Sequence, residues 1–156
     1  MSSHILETSA ISASRKVSRE TLVEIEHQIA AQHNATFGDN CFPLEHHHLD
    51  GMYVRRIFMP AGFILTCKIH KKTHPYFIMQ GEVEVLTEEG LKRIKGPYFG
   101  ITKAGTKRVI LTHTDTIWFT CHATEETDLK KIEDEIIAKS FADVPVIDAE
   151  YRKEIK

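Results

Sequence analysis

The sequence has little cysteine, almost no net charge and no long apolar run. Its three cysteines form no CxxC pair, and their odd number argues against the disulfide framework of a secreted protein. The 20 basic and 22 acidic side chains leave a formal charge of -2, which removes the electrostatic case for binding nucleic acid. No apolar stretch approaches the roughly 18 residues of a membrane span, and the first twenty residues contain no apolar signal segment. We therefore expect a cytoplasmic protein without a nucleic-acid or membrane partner.

Histidine is what the sequence has in excess. Ten of the 156 residues are histidine, whereas the apolar share of 42% and the charged share of 27% are those of an ordinary globular protein. The length fits one domain whose core is large enough to need neither disulfides nor a structural metal. The surplus of imidazole is the one feature that composition leaves unexplained.

Two helical segments flank the middle of the chain. Apolar residues recur every three or four positions over residues 18–32 and again over 127–140, which predicts an N-terminal and a C-terminal helix. Residues 1–17 are polar and aperiodic and are predicted to form a flexible tail. The tail at 143–156 is either a loose terminus or a strand that pairs with a second subunit.

Between the helices, residues 51–123 have the pattern of eight short strands. β-branched and aromatic residues dominate each stretch, and turn residues separate the stretches at short intervals. The stretches are Tyr53–Met59, Phe63–His70, Tyr76–Met79, Glu82–Thr87, Leu91–Ile94, Tyr98–Thr102, Arg108–Thr112 and Thr116–His122. This pattern predicts a mainly β protein, a sandwich or a barrel, in which residues 18–142 form a single domain.

The spacing of residues from Gly62 to Gly81 resembles the first motif of the cupin superfamily, G-x5-H-x-H-x3-E-x6-G. Both glycines fit the motif, and so does its second histidine, which is His70. The first motif histidine is replaced by Lys68, and the glutamate is replaced by His74. The glycine spacing therefore supports the resemblance, while the metal-binding positions depart from it.

Residues 103–112 resemble the second cupin motif more weakly, and Arg108 stands at the position of its metal-binding histidine. The resemblance implies a double-stranded β-helix, the cupin-type jelly-roll barrel, over about 51–123. The run at 113–118, among others, is also similar to small single-domain cupins of phages and prophages. That similarity would place the protein in the cytoplasm of a bacterial host.

The usual four-ligand cupin site is broken in this chain, because lysine and arginine offer only donors and repel a metal cation. The site is rebuilt if His70 and His74 are joined by His122 from the last strand. Strict hydrophobic alternation would bury the odd-numbered faces of these strands, whereas the cupin template points Lys68, His70 and His122 inward. We follow the template, and we expect a divalent transition metal, namely zinc, iron, nickel or manganese.

A positive pocket is the other chemistry that fits these substitutions. If Lys68 and Arg108 both point inward beside Trp118, they form a cationic pocket, flanked by imidazoles, that would bind a phosphate or a carboxylate. His113 is a reserve candidate for the site. The run of histidines at 46–48 is predicted to lie in a solvated loop.

Three functions remain open at this point. The first is a histidine-lined barrel pocket that binds a metal ion or a small anionic ligand. The second is a structural or interaction protein, such as a phage virion or assembly component, that uses the barrel as a scaffold. The third is an enzyme similar to cupin sugar isomerases and epimerases, with a pocket histidine as general base. The sequence leaves open whether the chain is an enzyme, and a homodimer or higher homo-oligomer is expected because the helices cover few of the sheet faces.

Overall fold

The computed structural model describes residues 15–36 and 41–143 of the chain. These residues form two α-helices, which are α1 (Arg19–Ala30) and α2 (Leu129–Ile136). The strands are β1 (Leu44–Leu49), β2 (Met52–Met59), β3 (Ile64–Thr66), β4 (Ile69–His70), β5 (His74–Gln80), β6 (Glu82–Thr87), β7 (Gly90–Lys95), β8 (Tyr98–Thr102), β9 (Val109–Thr112), β10 (Thr116–Ala123) and β11 (Ile137–Ala138). No helix in this part of the chain is long and apolar enough to cross a membrane.

Most of the strands belong to two antiparallel sheets that face each other. The larger sheet has the strand order β1-β2-β10-β5-β8, and the smaller has the order β3-β9-β6-β7. The short strands β4 and β11 form a separate antiparallel pair. The predicted mainly β, jelly-roll architecture with one helix before it and one after it is confirmed.

Both sheets contribute to a shared apolar core. Ile78 and Trp118 of the larger sheet pack in one cluster with Val83, Val85 and Ile110 of the smaller sheet. On β10 the buried residues are the even-numbered ones, from Thr116 to His122. The cupin template, rather than strict hydrophobic alternation, therefore predicted the orientation of this strand correctly.

The interior changes character along β10. One end of the strand pairs Thr116 with Met59, next to the apolar cluster, while the other end pairs His122 with Tyr53. Side chains buried toward the His122 end include Thr120 and Arg108. The sandwich thus has an apolar half and a polar half, and the candidate site lies in the polar half.

The two helices pack on different parts of the sandwich. Helix α1 is capped by Ser18, whose hydroxyl accepts a hydrogen bond from the N–H of Thr21 at 3.1 Å. The carboxylate of Glu26 in the same helix accepts a hydrogen bond from the ammonium group of Lys107 at 2.8 Å. Helix α2 packs Ile132 and Ile136 against Tyr53. The helix ends where β11 begins, and β11 pairs with β4, so that α2 and β11 cover the polar end of the sandwich.

Three elements differ from their prediction. The histidine run at 46–48 lies in the edge strand β1, not in a loop, because it pairs in register with β2. The predicted strand Phe63–His70 is broken between β3 and β4, since the chain leaves the smaller sheet at Cys67 to pair with β11. The C-terminal helix, predicted over 127–140, ends at Ile136 for the same reason: the residues that follow it become β11.

Parts of both predicted tails lie outside the described residues. This applies to residues 1–14 and to the segment from 144 onward, which includes the proposed subunit-pairing strand. Within the predicted N-terminal tail, Val17 donates its backbone N–H to the carbonyl of Glu88 at 3.0 Å. This end of the chain is therefore already held against the β6–β7 turn before α1 begins.

Replacing Ile78 by alanine tests the core. Ile78 is 0% exposed at the centre of the apolar cluster. Removing its side chain should therefore lower the free energy of unfolding by about 2–5 kcal/mol, measured by urea denaturation. The matched control is Ile64→Ala, because Ile64 lies on a strand but is 55% exposed. Equal losses for the two variants would contradict the packing described here.

Candidate metal centre

Three buried histidines meet at the polar end of the sandwich. His70, His74 and His122 are 8%, 3% and 4% exposed. The ring centroids are 4.3 Å apart for His70–His74, 5.0 Å for His70–His122 and 4.3 Å for His74–His122. One potential ligand atom from each ring lies within 4.8 Å of the others. The structure thus brings together the three residues that the sequence singled out as metal ligands.

Each histidine comes from a different strand. His122 occupies the inward face near the end of β10, and His74 begins β5 opposite Thr102 of β8. His70 lies on β4, where its backbone pairs with Ile137 of β11. The three positions are fixed by three separate pairings, so the cluster exists only when the sandwich and the β4–β11 pair are both formed.

The hydrogen bonds of the rings leave nitrogen atoms facing one another without a protein partner. The backbone carbonyl of Lys72 accepts a hydrogen bond from His74 Nδ1 at 3.1 Å. This bond places the proton on Nδ1 and leaves the lone pair on Nε2. His74 Nε2 and His70 Nδ1 are buried and have no hydrogen-bond partner. His122 Nε2 is 3.1 Å from the hydroxyl of Thr120.

Unpartnered imidazole nitrogens are the donor type that a transition metal takes. Buried polar atoms are almost always hydrogen-bonded, so two such nitrogens in one cluster require an explanation. Neutral imidazole suits zinc, iron and nickel, and a tethered Nδ1–H is the usual support for an Nε2 ligand. The residues present therefore fit a bound divalent metal, held by His70, His74 and His122.

Burial keeps the three rings uncharged. It lowers the pKa of His70 to about 2, of His74 to about 4 and of His122 to about 3. Smaller contributions come from the other rings of the cluster and from the charges of Arg108 and Arg55. All three side chains are neutral at pH 7, which is the protonation state that a metal ligand needs.

Arg108 and two aromatic rings of the apolar core lie together next to the polar half of the sandwich. The guanidinium of Arg108 lies over the rings of Tyr76 and Trp118, at 4.6 Å and 5.5 Å from their centroids. These two rings stack on each other with centroids 4.8 Å apart. Arg108 Nη2 also donates to the hydroxyl of Thr102, the cross-strand neighbour of His74. Of the three predicted ligand-binding residues, Arg108 is linked to the histidines through Thr102, and Trp118 lies against Arg108.

The predicted inward orientation of Lys68 is wrong. Its side chain is 44% exposed, and its Nζ lies 2.5 Å from a carboxylate oxygen of Glu133 on α2. Because β3 and β4 are separate strands, the alternation of faces restarts between them. Leu65 and Cys67 pack toward the core, and His70 turns inward after the break. The reserve candidate His113 is also away from the cluster, since its Nε2 contacts Glu84 at 2.8 Å.

Tyr53 and two histidines of β1 are site residues that the sequence analysis missed. The Tyr53 ring stacks on His122 at 5.9 Å and on His48 at 5.5 Å. Its hydroxyl lies 2.6 Å from His46 Nδ1. The two β1 histidines are two residues apart and share a face, so a strand prediction for this run would have placed them beside the cluster.

Two pockets of the described residues have no cluster histidine in their lining. One, of about 480 Å³, is lined by residues such as Gly81, Lys95 and Asp115. A second, of about 250 Å³, is lined by Lys71, Asp134, Ile137 and Lys139, where α2 and β11 meet β4. The cluster itself is closely enclosed, which suits a metal ion and a very small ligand better than a large substrate.

Comparisons with known proteins give results at the level of the fold. No family model matches the chain, and no curated protein matches it. Similar solved structures include a cupin superfamily protein from Desulfitobacterium hafniense, with 11% identity and a TM-score of 0.47 over 58% of this chain and 84% of that chain. The DMSP lyase DddQ from Ruegeria pomeroyi is also similar, with 19% identity and a TM-score of 0.49 over 61% of this chain and 55% of that chain. An acetylacetone dioxygenase from Acinetobacter johnsonii has 17% identity and a TM-score of 0.44 over 60% of this chain and 74% of that chain. The first of these is described as a cupin superfamily protein, the family whose motifs the sequence resembles.

The stability of the metal-free protein should fall as the pH drops below 6.5. The three histidines have lowered pKa values in the folded state, so below pH 6.5 the unfolded chain binds protons that the folded chain does not. Between pH 7.5 and 5.5 each should cost about 1.4 kcal/mol of unfolding free energy. Urea titrations of chelator-treated protein measure the loss. The variant His70→Gln should lose about a third less, and equal free energies at the two pH values would contradict the buried neutral cluster.

Proposed function

We propose that this protein is a small metal-binding cupin, in which His70, His74 and His122 hold a divalent transition metal in the barrel. The observation that carries the proposal is the pair of unpartnered buried nitrogens, His70 Nδ1 and His74 Nε2, within a cluster of three neutral imidazoles. When bound, such a metal would act as a Lewis acid toward a small ligand. The ligand class that suits the surrounding charge is a small anion, since Arg108 adjoins the cluster.

The protein's own residues have separate roles in this proposal. The carbonyl of Lys72 and the hydroxyl of Thr120 orient His74 and His122. Tyr53 and helix α2 exclude water from the outer side of the cluster. The site is therefore a dry, shaped enclosure in which electrostatic interactions are strong.

Each alternative function has an observation that bears on it. A scaffold protein is favoured by the enclosed interior, because neither of the two pockets has a cluster histidine in its lining. Against it, a scaffold needs no unpartnered buried imidazoles. An isomerase or epimerase would use one of the histidines as a general base, but no acidic side chain in residues 15–36 and 41–143 is hydrogen-bonded to a cluster histidine. Metal binding is thus the function that we place first.

Elemental analysis of tag-free protein tests the metal centre. After chelation and re-addition of zinc or cobalt, we expect one metal per chain and a higher melting temperature in its presence. Replacing His70, His74 or His122 by alanine removes a ligand, so metal affinity should fall by about 100-fold or more.

The matched control is His113→Ala, which changes a histidine of the same barrel outside the cluster. It should bind metal as the unaltered protein does. Two results would contradict the metal centre. One is the absence of stoichiometric metal in the unaltered protein, and the other is a loss of metal affinity in the His113 variant equal to that of the three cluster variants.

Self-association remains part of the proposal. The outer face of the larger sheet is apolar, and Met79, Phe99 and Ile101 are each at least half exposed. Phe77 lies between Phe99 and Phe119 in the register of the strands and extends this face. An apolar face of this kind is suited to a second copy of the same chain.

A charge on that face should separate the subunits. We expect Phe99→Glu to convert a dimer into a monomer, because a carboxylate cannot be buried without a partner. Light scattering coupled to gel filtration measures the mass. The control is Lys92→Glu, a charge change on β7 of the other sheet. A monomeric unaltered protein, or a dimer that survives Phe99→Glu, would contradict this surface.

A further inference from the structure

A buried positive charge in the sandwich has no acidic side chain to balance it. Arg108 is 6% exposed, and no aspartate or glutamate in residues 15–36 and 41–143 forms an ion pair with it. Its neighbour Lys107 is equally buried, at 5%, and is paired with Glu26 at 2.8 Å. The fold therefore neutralises one of two adjacent buried cations and leaves the other. An isolated buried cation is strongly destabilising, which makes the difference informative.

The contacts that Arg108 does make are incomplete for a guanidinium. Its Nη2 donates to the hydroxyl of Thr102, and its plane lies against the Tyr76 and Trp118 rings. The aromatic faces attract the cation but contribute no negative charge. A guanidinium has five N–H donors, and the fork that they form matches two oxygens of one planar group.

Arg108 lies directly beside the histidine cluster. Thr102, which receives its hydrogen bond, is the register partner of His74, and Tyr76 follows His74 by two residues on the same face of β5. The other buried polar side chains of the described residues are histidines, threonines and Lys107, with no aspartate or glutamate among them. A divalent metal on the histidines would add two further positive charges to this acid-free interior.

These observations point to the class of molecule that completes the site. Resting on the metal centre proposed above, we propose that the pocket takes a small carboxylic acid, whose carboxylate binds Arg108 and the Thr102 hydroxyl next to the metal. A carboxylate is planar, and its two oxygens match the fork of the Arg108 guanidinium, while its negative charge offsets part of the positive charge of Arg108 and a bound metal. Inorganic phosphate is tetrahedral and bulkier, and Lys68, the second cation expected to hold it, is held outside by Glu133. A neutral polyol would leave Arg108 unbalanced.

The test uses the full chain with and without metal. Acetate, inorganic phosphate and glycerol are titrated into cobalt-loaded protein, and binding is followed by the change in the cobalt absorption spectrum. In chelator-treated protein the same three probes are compared by melting temperature, with chloride at equal ionic strength as the reference. The variants are Arg108→Gln, Arg108→Lys and, as a matched control for a cation outside the pocket, Lys68→Gln.

We expect acetate to bind more tightly than phosphate or glycerol. Its dissociation constant should rise by about 10-fold or more in Arg108→Gln, because a buried charge partner is lost, and should be unchanged in Lys68→Gln. Arg108→Lys keeps the charge without the fork and should give an intermediate loss, which also covers the case in which the glutamine variant does not fold.

The outcomes separate this inference from the metal centre itself. If cobalt binds but acetate binds equally to the unaltered protein and both Arg108 variants, the carboxylate assignment is overturned. Tighter binding of phosphate or glycerol than of acetate overturns it as well. If cobalt does not bind, the proposal of a metal centre is contradicted. The carboxylate proposal is then tested by the melting temperatures alone. Stabilisation by acetate that depends on Arg108 supports it, and no stabilisation beyond that of chloride overturns it.

Discussion

Burial of three uncharged imidazoles against one another is the constraint on which the rest of the site depends. At the closed end of a β-sandwich, each ring could be protonated to the charged imidazolium only at a high cost in desolvation, so all three are neutral. Neutral rings can approach to within 4.3–5.0 Å between centroids, and they turn lone pairs toward each other where a charged cluster would separate. Because neutral rings do not stabilise one another, other contacts have to hold them in place. The hydrogen bond from His74 to the carbonyl of Lys72 and the enclosure by Tyr53 and α2 do this.

The parts of the fold that sequence reasoning predicted well are those with strong local signals. Strands β6 and β8 have the predicted bounds, and glycines at 62, 81, 90 and 105 mark real turns, since each has a positive φ that other residues rarely adopt. His70 and His74 could be named because they stand at motif positions of the cupin spacing, and His122 because it shares a face of the last strand with Trp118. Hydrophobic alternation would have predicted that the opposite face of β10, where Phe119 and Cys121 lie, is buried. A polar interior inverts the ordinary pattern, and the cupin template is what indicated the inversion.

The parts that could not be predicted depend on pairings between distant residues. Lys68 was placed in the pocket on the assumption of one continuous strand. The strand is broken because β11, almost seventy residues later, pairs with β4 and shifts the alternation by one residue. Likewise, nothing in the run at 46–48 identifies an edge strand, since its side chains are polar and exposed and its partner β2 supplies the hydrogen bonds. Tyr53 was missed as well, since its stacking on His122 depends on the pairing of β2 with β10.

The composition of the interior supports a binding site over a scaffold. A barrel that serves only as a structural unit is most stable when apolar side chains fill both ends, as they do around Ile78 and Ile110 here. At the other end this chain buries two unpartnered imidazole nitrogens and a guanidinium without an acid, each of which lowers stability by itself. The rule that buried polar groups have partners is broken at this one place. A bound metal and a bound anion would together satisfy the two imidazole nitrogens and the guanidinium. Proteins depart from ideal packing in this concentrated way at functional sites, because the missing partners are supplied by what the site binds.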